Sequence, residues 1–433
     1  IFDIFTLNTR LPFILLGITA SYTIRLTIVN ILIMKETKTC TPEYLSKDIL
    51  DKDFVRTFTV FYRVQYILGS CRVEVKDQFV TCPSRHQKCY TVCCIFMTVI
   101  LNILLIRKYL VLVQDIIIYN LSAVGIWAGF VYFLCVIISA RFVNCQGNAD
   151  FFIQMQKLDR IMGLDKIKFI NLILKQIINT SLLLLLGTFF VIFVVSCTTI
   201  NFLYITLTGA VYCQLTCMLE LVYCSNLVIY FVIRLRFVNC ILKNHLKQEK
   251  KIIKPNTYWL FSYRNLKKIA LETHNFPTSN TYMYLKELFE LFAMFQNLYR
   301  FQLFIFCLKL VFGSICLFGL ILFSIQRNVT NKAETLTMFV FNIIDFFIAI
   351  FLGARLQLFF GEVKQTKRLS IAVMAAYPSG QLREKARKML KIVEETPPKL
   401  SIYDMYDMNA GIFLTIFSLI TSLIVTLLQF SFL

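Results

Sequence analysis

Charged residues are scarce in this chain of 433 residues. Asp, Glu, Lys and Arg together make up 16% of it, whereas the hydrophobic set AVILMFWYC makes up 58%. A water-soluble globule needs more polar groups than this to cover its surface. Much of the chain must therefore be surrounded by lipid. The composition therefore excludes a cytosolic enzyme and predicts an integral membrane protein.

Histidine and catalytic motifs are also scarce. The three histidines, His86, His245 and His274, lie far apart in polar stretches, which argues against a histidine-based metal site. The motifs HExxH, GxxxxGK[ST], GxSxG and GxGxxG are absent. The sequence therefore predicts a protein that is not an enzyme and that uses no metal or other cofactor.

Cysteine, by contrast, is plentiful, with 15 residues scattered mostly through apolar runs. Their spacing shows no paired pattern of metal ligands, so we expect most of them to be small buried hydrophobic side chains. We leave undecided whether the chain forms one or two disulfides. The formal net charge of +20 comes from blocks of basic residues between apolar runs, and this arrangement indicates membrane topology better than nucleic-acid binding.

Seven apolar stretches are long enough to cross the bilayer as helices. They are residues 91–113, 116–138, 176–197, 203–233, 301–325, 336–357 and 407–433. The predicted fold is therefore an all-α membrane protein with seven transmembrane helices. Its segments are a cytoplasmic N-terminal region 1–90, helices one to four in 91–233, cytoplasmic helical extensions 234–300, helices five and six in 301–357, a cytoplasmic linker or anchor 358–406, and helix seven in 407–433.

The distribution of basic residues predicts the orientation, because Lys and Arg are retained on the cytoplasmic side. With an inner N-terminus, 37 of the 45 Lys and Arg residues fall in cytoplasmic segments and 4 in outer loops. An odd number of spans then places the C-terminus outside. The glycosylation sequon at Asn328 falls in the third outer loop, which agrees with this orientation.

Residues 11–34 form a further apolar stretch that carries only Arg25 as a charge. Counted as a span, it would reverse the later helices against their charge bias. An eighth helix or a signal anchor stays possible, but we favour an interfacial segment or a leader.

The cytoplasmic segments contain amphipathic helices. In 281–299 the residues Leu285, Leu288, Phe289, Phe292 and Phe295 share one face, which only Gln296 interrupts, so helix five is expected to extend into the cytoplasm. Helix four likewise continues past Arg234, and 381–395 forms a separate charged helix. Two interpretations remain open: these faces pack within one chain, or they join subunits.

Three functional classes use seven spans. A G-protein-coupled receptor has the opposite orientation and is disfavoured. A secondary transporter shows repeated halves, broken helices and charges at the membrane midplane, whereas this chain has 14 Gly, 8 Pro, no evident repeat and few charges within its spans. A channel remains.

The last helix carries a stripe of small polar residues, Thr415, Ser418, Ser422, Thr426 and Gln429, at spacings of three and four. Such spacing places them on one helical face. The stripe predicts either a pore lining or packing against another helix, since hydroxyls are common between membrane helices.

The end of the chain resembles the carboxy-terminal signature of the insect gustatory receptors: Thr-Tyr, five hydrophobic residues, then Gln-Phe. Gln429 and Phe430 match it, whereas Ser422 and Leu423 stand in place of Thr-Tyr and Thr426 is polar within the hydrophobic five. The segment from Lys399 into the last helix, and the inverted seven-helix layout over nearly the whole chain, also resemble this family.

The resemblance implies a ligand-gated, non-selective cation channel of four subunits, identical or mixed with other gustatory receptors, in the plasma membrane of chemosensory neurons. Helix seven would line the pore, with Ser422, Thr426, Gln429 and Phe430 on the conduction path and cytoplasmic helices joining the tetramer. The partners implied are a small-molecule tastant and membrane lipid, not nucleic acid. Sugar-sensing members often carry an acid where Ile424 stands, which points to the bitter or plant-compound branch, with a sugar or inositol receptor as the alternative and a transporter as the alternative class.

The resemblance places the tastant pocket among helices two to six, in their outer halves. Because such pockets are lined by aromatic residues with a few polar groups, the candidates are Tyr119, Trp127, Phe189, Phe193, Tyr204, Tyr212, Phe318, Asn342 and Asp345. Most of the aromatic residues could equally face lipid or core. Asp345 is expected to face the bundle interior and to bond a polar partner or the ligand, because a carboxylate in lipid costs about 2.5–3.5 kcal/mol or more. Arg355 lies too far along the same helix to be that partner.

Overall fold

A computed structural model describes residues 49–76, 78–112, 116–164, 168–199, 204–249, 281–326, 332–408 and 410–432. Within these ranges the chain is almost wholly helical, which confirms the predicted all-α class. The apolar stretch 11–34 and the sequon at Asn328 lie outside the described residues.

Ten α-helices and four short strands follow one another along this part of the chain. In order they are α1 (Lys52–Ile67), β1 (Glu74–Lys76), β2 (Phe79–Thr81), α2 (Arg85–Leu112), α3 (Ile116–Ile138), α4 (Cys145–Ile161), α5 (Lys168–Thr199), α6 (Tyr204–Glu249), α7 (Thr281–Gln326), α8 (Lys332–Ala376), α9 (Gln381–Glu395), β3 (Ser401–Ile402), β4 (Tyr406–Asp407) and α10 (Ala410–Phe432). A π-helical turn, Ser139–Val143, joins α3 to α4.

Six of these helices are long and apolar enough to cross a membrane. Their apolar segments are Arg85–Arg107, Ala123–Val143, Ile170–Val191, Thr208–Leu246, Thr281–Leu322 and Met338–Ala376, and a shorter apolar segment, Leu414–Thr426, lies in α10. The seven apolar stretches of the sequence therefore correspond to α2, α3, α5, α6, α7, α8 and α10.

Helix α6 lies at the centre of the bundle. It packs against α2, α3, α5, α7 and α8, and its most extensive contact is with α8. In the most apolar part of the helix, 94% of the residues are buried within the chain. A helix that is apolar on all sides and surrounded by protein in this way has little lipid-facing surface. The other spans therefore assemble around α6.

Three helices run far beyond the thickness of a bilayer core. Helices α6, α7 and α8 contain 46, 46 and 45 residues without a break. Helices four and five are predicted to continue past their spans, and α8 likewise continues for 19 residues into the 358–406 segment, up to Ala376. At 1.5 Å per residue each helix is roughly 68 Å long, more than twice the ~30 Å core.

The region before the first span has a structure of its own that hydropathy did not reveal. Helix α1 packs on α5 and α6, and the β1–β2 hairpin pairs Glu74 with Thr81 and Lys76 with Phe79 in antiparallel register. Phe54, Phe58 and Phe61 of α1 are all buried in the common core. Residues 49–81 are therefore an integral layer of the bundle.

The amphipathic face of 281–299 packs within the chain. Leu285, Leu288, Phe289, Phe292 and Phe295 are all buried, and the Phe292 ring stacks on Phe359 of α8 at a centroid distance of 4.4 Å. Of the two interpretations of this face, packing among the chain's own helices is the one that the structure shows.

Gln296, the polar residue that interrupts that face, bonds the hairpin that precedes the last helix. Its Nε2 donates a hydrogen bond of 3.0 Å to the Ser401 carbonyl in the β3–β4 hairpin. The hairpin turns through Tyr403 and Asp404, both with positive φ, and leads directly into α10. Helix α7 therefore holds the segment from which the last helix starts.

A buried ion pair holds α4 against α6. Arg234 Nε and Nη2 donate to Asp159 Oδ1 and Oδ2 at 3.0 and 2.8 Å, and the Tyr230 hydroxyl donates to Asp159 Oδ1 at 2.9 Å. Both charged side chains are almost fully buried. Such a bidentate pair is stable only while both partners are present, because either charge alone would be stranded away from water.

We therefore predict that Arg234→Met lowers the free energy of unfolding by about 3–5 kcal/mol, because the Asp159 carboxylate loses its counter-ion. The double variant Arg234→Met/Asp159→Leu should recover much of this loss. The measurement is thermal unfolding in detergent, followed by fluorescence-detected size exclusion. As a matched control, Glu384→Gln breaks the exposed Glu384–Lys388 pair of α9 and should leave the transition unchanged. Equal destabilisation by both single variants would contradict the prediction.

Candidate ligand site and pore-lining helix

Three polar side chains from three different spans meet in the bundle interior. Gln214 of α6 donates to Asp345 Oδ1 at 2.9 Å, and Lys309 Nζ of α7 contacts both Gln214 Oε1 and Asp345 Oδ2 at 2.7 Å. Asp345 is 4% exposed. The carboxylate therefore faces the interior and has two polar partners. These three residues are called the outer polar cluster below, because the orientation predicted from the sequence would place them in the outer halves of the helices.

Tyr132 of α3 closes one side of the outer polar cluster. Lys309 Nζ lies 5.1 Å from the centre of its ring, within the range of a cation–π contact. The Tyr132 hydroxyl is buried and has no hydrogen-bond partner among the described residues. Because buried hydroxyls are almost always bonded, this group is available to a polar atom that enters the site.

One helical turn along α8, Asn342 makes a second polar contact with α7. Asn342 Oδ1 accepts a hydrogen bond of 3.1 Å from Ser314 Oγ. The structure therefore brings Asn342 and Asp345 together on the α7–α8 seam.

The predicted aromatic residues whose side chains the structure describes make different contacts. Phe189 is buried and its ring lies parallel to Phe341, and Trp127 packs edge-on against Phe130. Tyr212 donates its hydroxyl to the Leu68 carbonyl at 2.6 Å and so anchors the loop after α1. Phe318 is half-buried on α7. The side chains of Tyr119, Phe193, Tyr204 and Phe430 lie outside the described part of the structure.

A second ionic group lies further along α6, six residues after Gln214. Arg72, from the segment after α1, donates to Glu220 at 2.8 Å and to Gln302 at 2.7 Å, while Gln65 donates to the other oxygen of Glu220 at 2.8 Å. Arg72 and Glu220 are both 2% exposed. The Arg72–Glu220 ion pair therefore holds the segment between α1 and the first span against α6.

Arg355 of α8 has neutral partners. Its Nη1 donates to Asn226 Oδ1 at 2.7 Å and to Ser225 Oγ at 3.2 Å, and its guanidinium lies over the Phe351 ring. It bonds α6 in this way and does not reach Asp345, as the helical spacing predicted.

The sequence predicts few charges within the spans, and the structure shows what those few contact. Glu220 of α6, Lys309 of α7, and Asp345 and Arg355 of α8 each have a bonded partner in the structure. Sequence reasoning selected Asp345 but missed Lys309 and Gln214. The signal was available, because a lone Lys in one apolar span and a lone Asp in another are each too costly to leave unpaired.

Helix α10 is attached to its own bundle along one edge. It packs on α7 and α8 through Ile416 and Ile420, which are buried, and Ile424, which is partly buried. Its other described side chains are mostly exposed, including large ones such as Leu414 at 73% and Phe417 at 59%. Within this chain, therefore, α10 has a narrow contact and a wide free surface.

The polar stripe of α10 faces away from that edge. Ser418, Ser422 and Thr426 each follow an edge isoleucine by two residues, or about 200° around the helix, and all three are exposed. Gln429 is exposed as well. The Thr426 hydroxyl donates to the Ser422 carbonyl at 2.9 Å within its own helix. The stripe is therefore not used for packing within this chain.

Tyr132 and Tyr230 provide a matched pair of hydroxyl deletions. Tyr132→Phe removes a buried hydroxyl that has no partner among the described residues, so we expect unchanged or slightly higher stability without ligand. Tyr230→Phe removes a hydrogen bond to the Asp159 carboxylate and should lower the free energy of unfolding by about 1.5–3 kcal/mol. Detergent unfolding curves of the two variants make the comparison. A clear destabilisation by Tyr132→Phe would mean that its hydroxyl is bonded in the unliganded protein.

No protein-family model and no curated protein sequence matches this chain, but solved structures of similar shape exist. The olfactory receptor OR5 of the insect Machilis hrabei is similar with a TM-score of 0.58 and 11% identity, over 87% of this chain and 99% of that one. The same receptor in complex with eugenol gives a TM-score of 0.47 and 12% identity over the same shares. At this identity the likeness concerns the fold, so that the chain has the helical architecture of an insect olfactory receptor.

Proposed function

We propose that this chain is a subunit of a ligand-gated, non-selective cation channel that a small molecule opens. The observation that carries the proposal is the placement of α10, whose Ser, Thr and Gln stripe points away from its own bundle. A polar stripe on an apolar helix needs a polar surrounding, and a water-filled pore between several copies of the chain supplies one.

Four copies around a central axis would place four α10 helices side by side. Ser422, Thr426 and Gln429 then line the conduction path, and Phe430 with neighbouring apolar side chains closes it. Hydroxyl and amide groups replace part of the hydration shell of a cation without binding it tightly, and the stripe contains no carboxylate. Weak selectivity among cations follows from that chemistry.

The ligand site proposed for this channel is centred on the outer polar cluster. Asn342 and Asp345 supply polar contacts, Phe189 and Trp127 supply apolar walls, and the Tyr132 hydroxyl, which has no partner in the described part of the chain, offers a hydrogen bond to the ligand. We keep Tyr119, Phe193, Tyr204, Tyr212 and Phe318 as further wall residues. Because Lys309 and Asp345 neutralise each other, the site suits an uncharged ligand with hydrogen-bonding groups.

Helix α7 offers a physical route from the ligand site to the pore. It carries Lys309 in the outer polar cluster and, 13 residues earlier, Gln296, which bonds the hairpin before α10. Phe304 of the same helix packs edge-on against Tyr403 in the hairpin turn. A shift of α7 on ligand binding would therefore act directly on the start of α10.

Several finer assignments belong to the same proposal. The N-terminus lies in the cytoplasm and the C-terminus outside, with 1–90, 234–300 and 358–406 cytoplasmic and a glycan on Asn328. The channel is a gustatory receptor of chemosensory neurons, of the bitter or plant-compound branch. The Gln429-Phe430 signature is the basis for assigning the gustatory family. Ile424, which stands where sugar-sensing members often carry an acid, is the basis for assigning the branch. A sugar or inositol receptor is the alternative within the family.

A secondary transporter is the alternative from another class, and the buried ion pairs favour it, since charges inside spans often mark substrate pathways. Transporter sites are usually built where helices are interrupted. Helices α6, α7 and α8 carry their buried charges on unbroken segments of 45 or 46 residues. The channel therefore accounts for the geometry better.

The deciding experiment is expression of the chain in oocytes, alone and with a candidate co-receptor, against a panel of alkaloids, glycosides and sugars. A channel gives unitary currents in excised patches whose reversal potential follows the cation gradient. Substrate-coupled fluxes without unitary events would support the transporter and would contradict our proposal.

For the pore, we predict different accessibility on the two faces of α10. Cysteines introduced at positions 422, 426 and 429 should react with a charged thiol reagent faster in the presence of agonist, because opening hydrates the stripe. Cysteines at 423, 424 and 427 serve as controls and should not respond to agonist. The measurement is the rate of current modification. Equal rates on both faces would mean that the pore runs elsewhere.

For the ligand site, we predict that Asp345→Asn shifts the half-maximal agonist concentration about tenfold or more, because the hydrogen bonding of the outer polar cluster changes. The reversal potential should stay the same. The matched control on the same helix is Glu362→Gln, which breaks the partly buried pair with Arg236 and should shift the concentration about twofold or less. Similar shifts in both variants would indicate a general structural effect and no ligand contact.

A further inference from the structure

A cavity of about 200 Å³ lies between α1, the β1–β2 region, α4 and α6. Tyr223, its contribution from α6, follows Gln214 of the outer polar cluster by nine residues, or about 13 Å along the helix axis. The cavity is therefore separate from the proposed ligand site.

Aromatic rings form most of the inner wall of this cavity. Phe54 and Phe58 of α1 pack edge-on against Phe152 of α4, at centroid distances of 6.5 and 5.9 Å, and Phe58 packs edge-on against Tyr223 at 6.4 Å. All four side chains are buried. Ring faces and edges at these distances suit a flat aromatic guest.

The buried polar groups of the wall carry no net charge, and the exposed Arg63 lies at its rim. Arg72 is neutralised by Glu220 and further bonded to Gln302, and Gln65 is bonded to Glu220. Burial raises the pKa of the Cys71 thiol to about 12 and also raises the pKa of the Tyr62 hydroxyl, so both stay uncharged at neutral pH. Among the buried wall residues, a charged guest would therefore lose its hydration without gaining a counter-ion.

One wall group can form a hydrogen bond with a guest. Tyr223 lines the cavity and is 3% exposed, and its phenolic hydroxyl can both donate and accept. A guest that carries one hydroxyl could bond it while its ring occupies the aromatic part of the cavity.

The cavity also has an entrance. Thr59 and Tyr62 at its rim are half-buried, and Arg63 is exposed. A dry apolar cavity of about 150 Å³ is known to take up benzene, so that the volume here accommodates one aromatic ring with a short polar substituent.

We propose that this cavity is a second binding site, which takes a small, neutral aromatic alcohol. The ring lies among Phe54, Phe58 and Phe152, and the hydroxyl of the guest bonds Tyr223. The site does not depend on the ligand site or the pore, and its test requires no channel activity.

The test is photolabelling of the full chain, purified in detergent, with a diazirine-bearing benzyl alcohol and with the corresponding toluene analogue. Labelled peptides are mapped by mass spectrometry. The alcohol probe should label peptides of α1 and α4, and excess unlabelled benzyl alcohol should suppress this. Val55→Trp at the half-buried rim should abolish labelling by filling the cavity, with Thr59→Trp as a second filling variant. Leu172→Trp, at a position exposed on α5, is the control and should label like wild type.

Tyr223→Phe tests the hydrogen bond without changing shape. It should lower labelling by the alcohol about threefold or more while leaving labelling by the toluene analogue unchanged. An equal effect on both probes, or none on either, would mean an apolar slot for hydrocarbon such as a lipid acyl chain and would overturn the proposal. Labelling of α1 and α4 that survives both filling variants would also overturn it.

Discussion

A charge buried among apolar helices needs an opposite charge or a strong dipole as a bonded partner. In this chain, such polar contacts are arranged along α6. Gln214, Glu220, Asn226 and Arg234 occur at successive depths of that helix, and each bonds a group from another segment. Apolar packing alone would allow these helices to slide or rotate past one another. The polar contacts fix their register, because a shift of one turn would strand a charge.

Much of this architecture could be predicted from the sequence, because the spans follow from the length of apolar runs alone. The interior position of Asp345 was likewise expected from the cost of a carboxylate in lipid. Its partners were not, because Gln214 and Lys309 lie 131 and 36 positions away along the chain and only the packing of α6, α7 and α8 brings them together. Hydropathy also gave no indication of α1 and its hairpin, since five of the 16 residues of α1 are buried and two of these, Thr57 and Gln65, are polar.

The polar stripe of α10 illustrates what a pattern can and cannot decide. Spacing placed Ser418, Ser422 and Thr426 on one face but left open whether that face packs or lines a pore. Only the position of the Ile416 and Ile420 edge, on the opposite side, shows that the stripe is unused within the chain. This information belongs to the tertiary structure, and no single-helix periodicity contains it.

The two kinds of helix contact differ in what motion they permit. Around α6, directional bonds penalise any rotation. Helix α10 touches its neighbours through apolar side chains, including its isoleucine edge and Phe417, whose ring lies edge-on to Phe346 of α8, while its described hydroxyl bonds stay within the helix itself. Apolar contacts are not directional, so they oppose rotation of a helix less than hydrogen bonds and ion pairs do. We therefore expect larger thermal motion in α10 than in the helices bonded to α6.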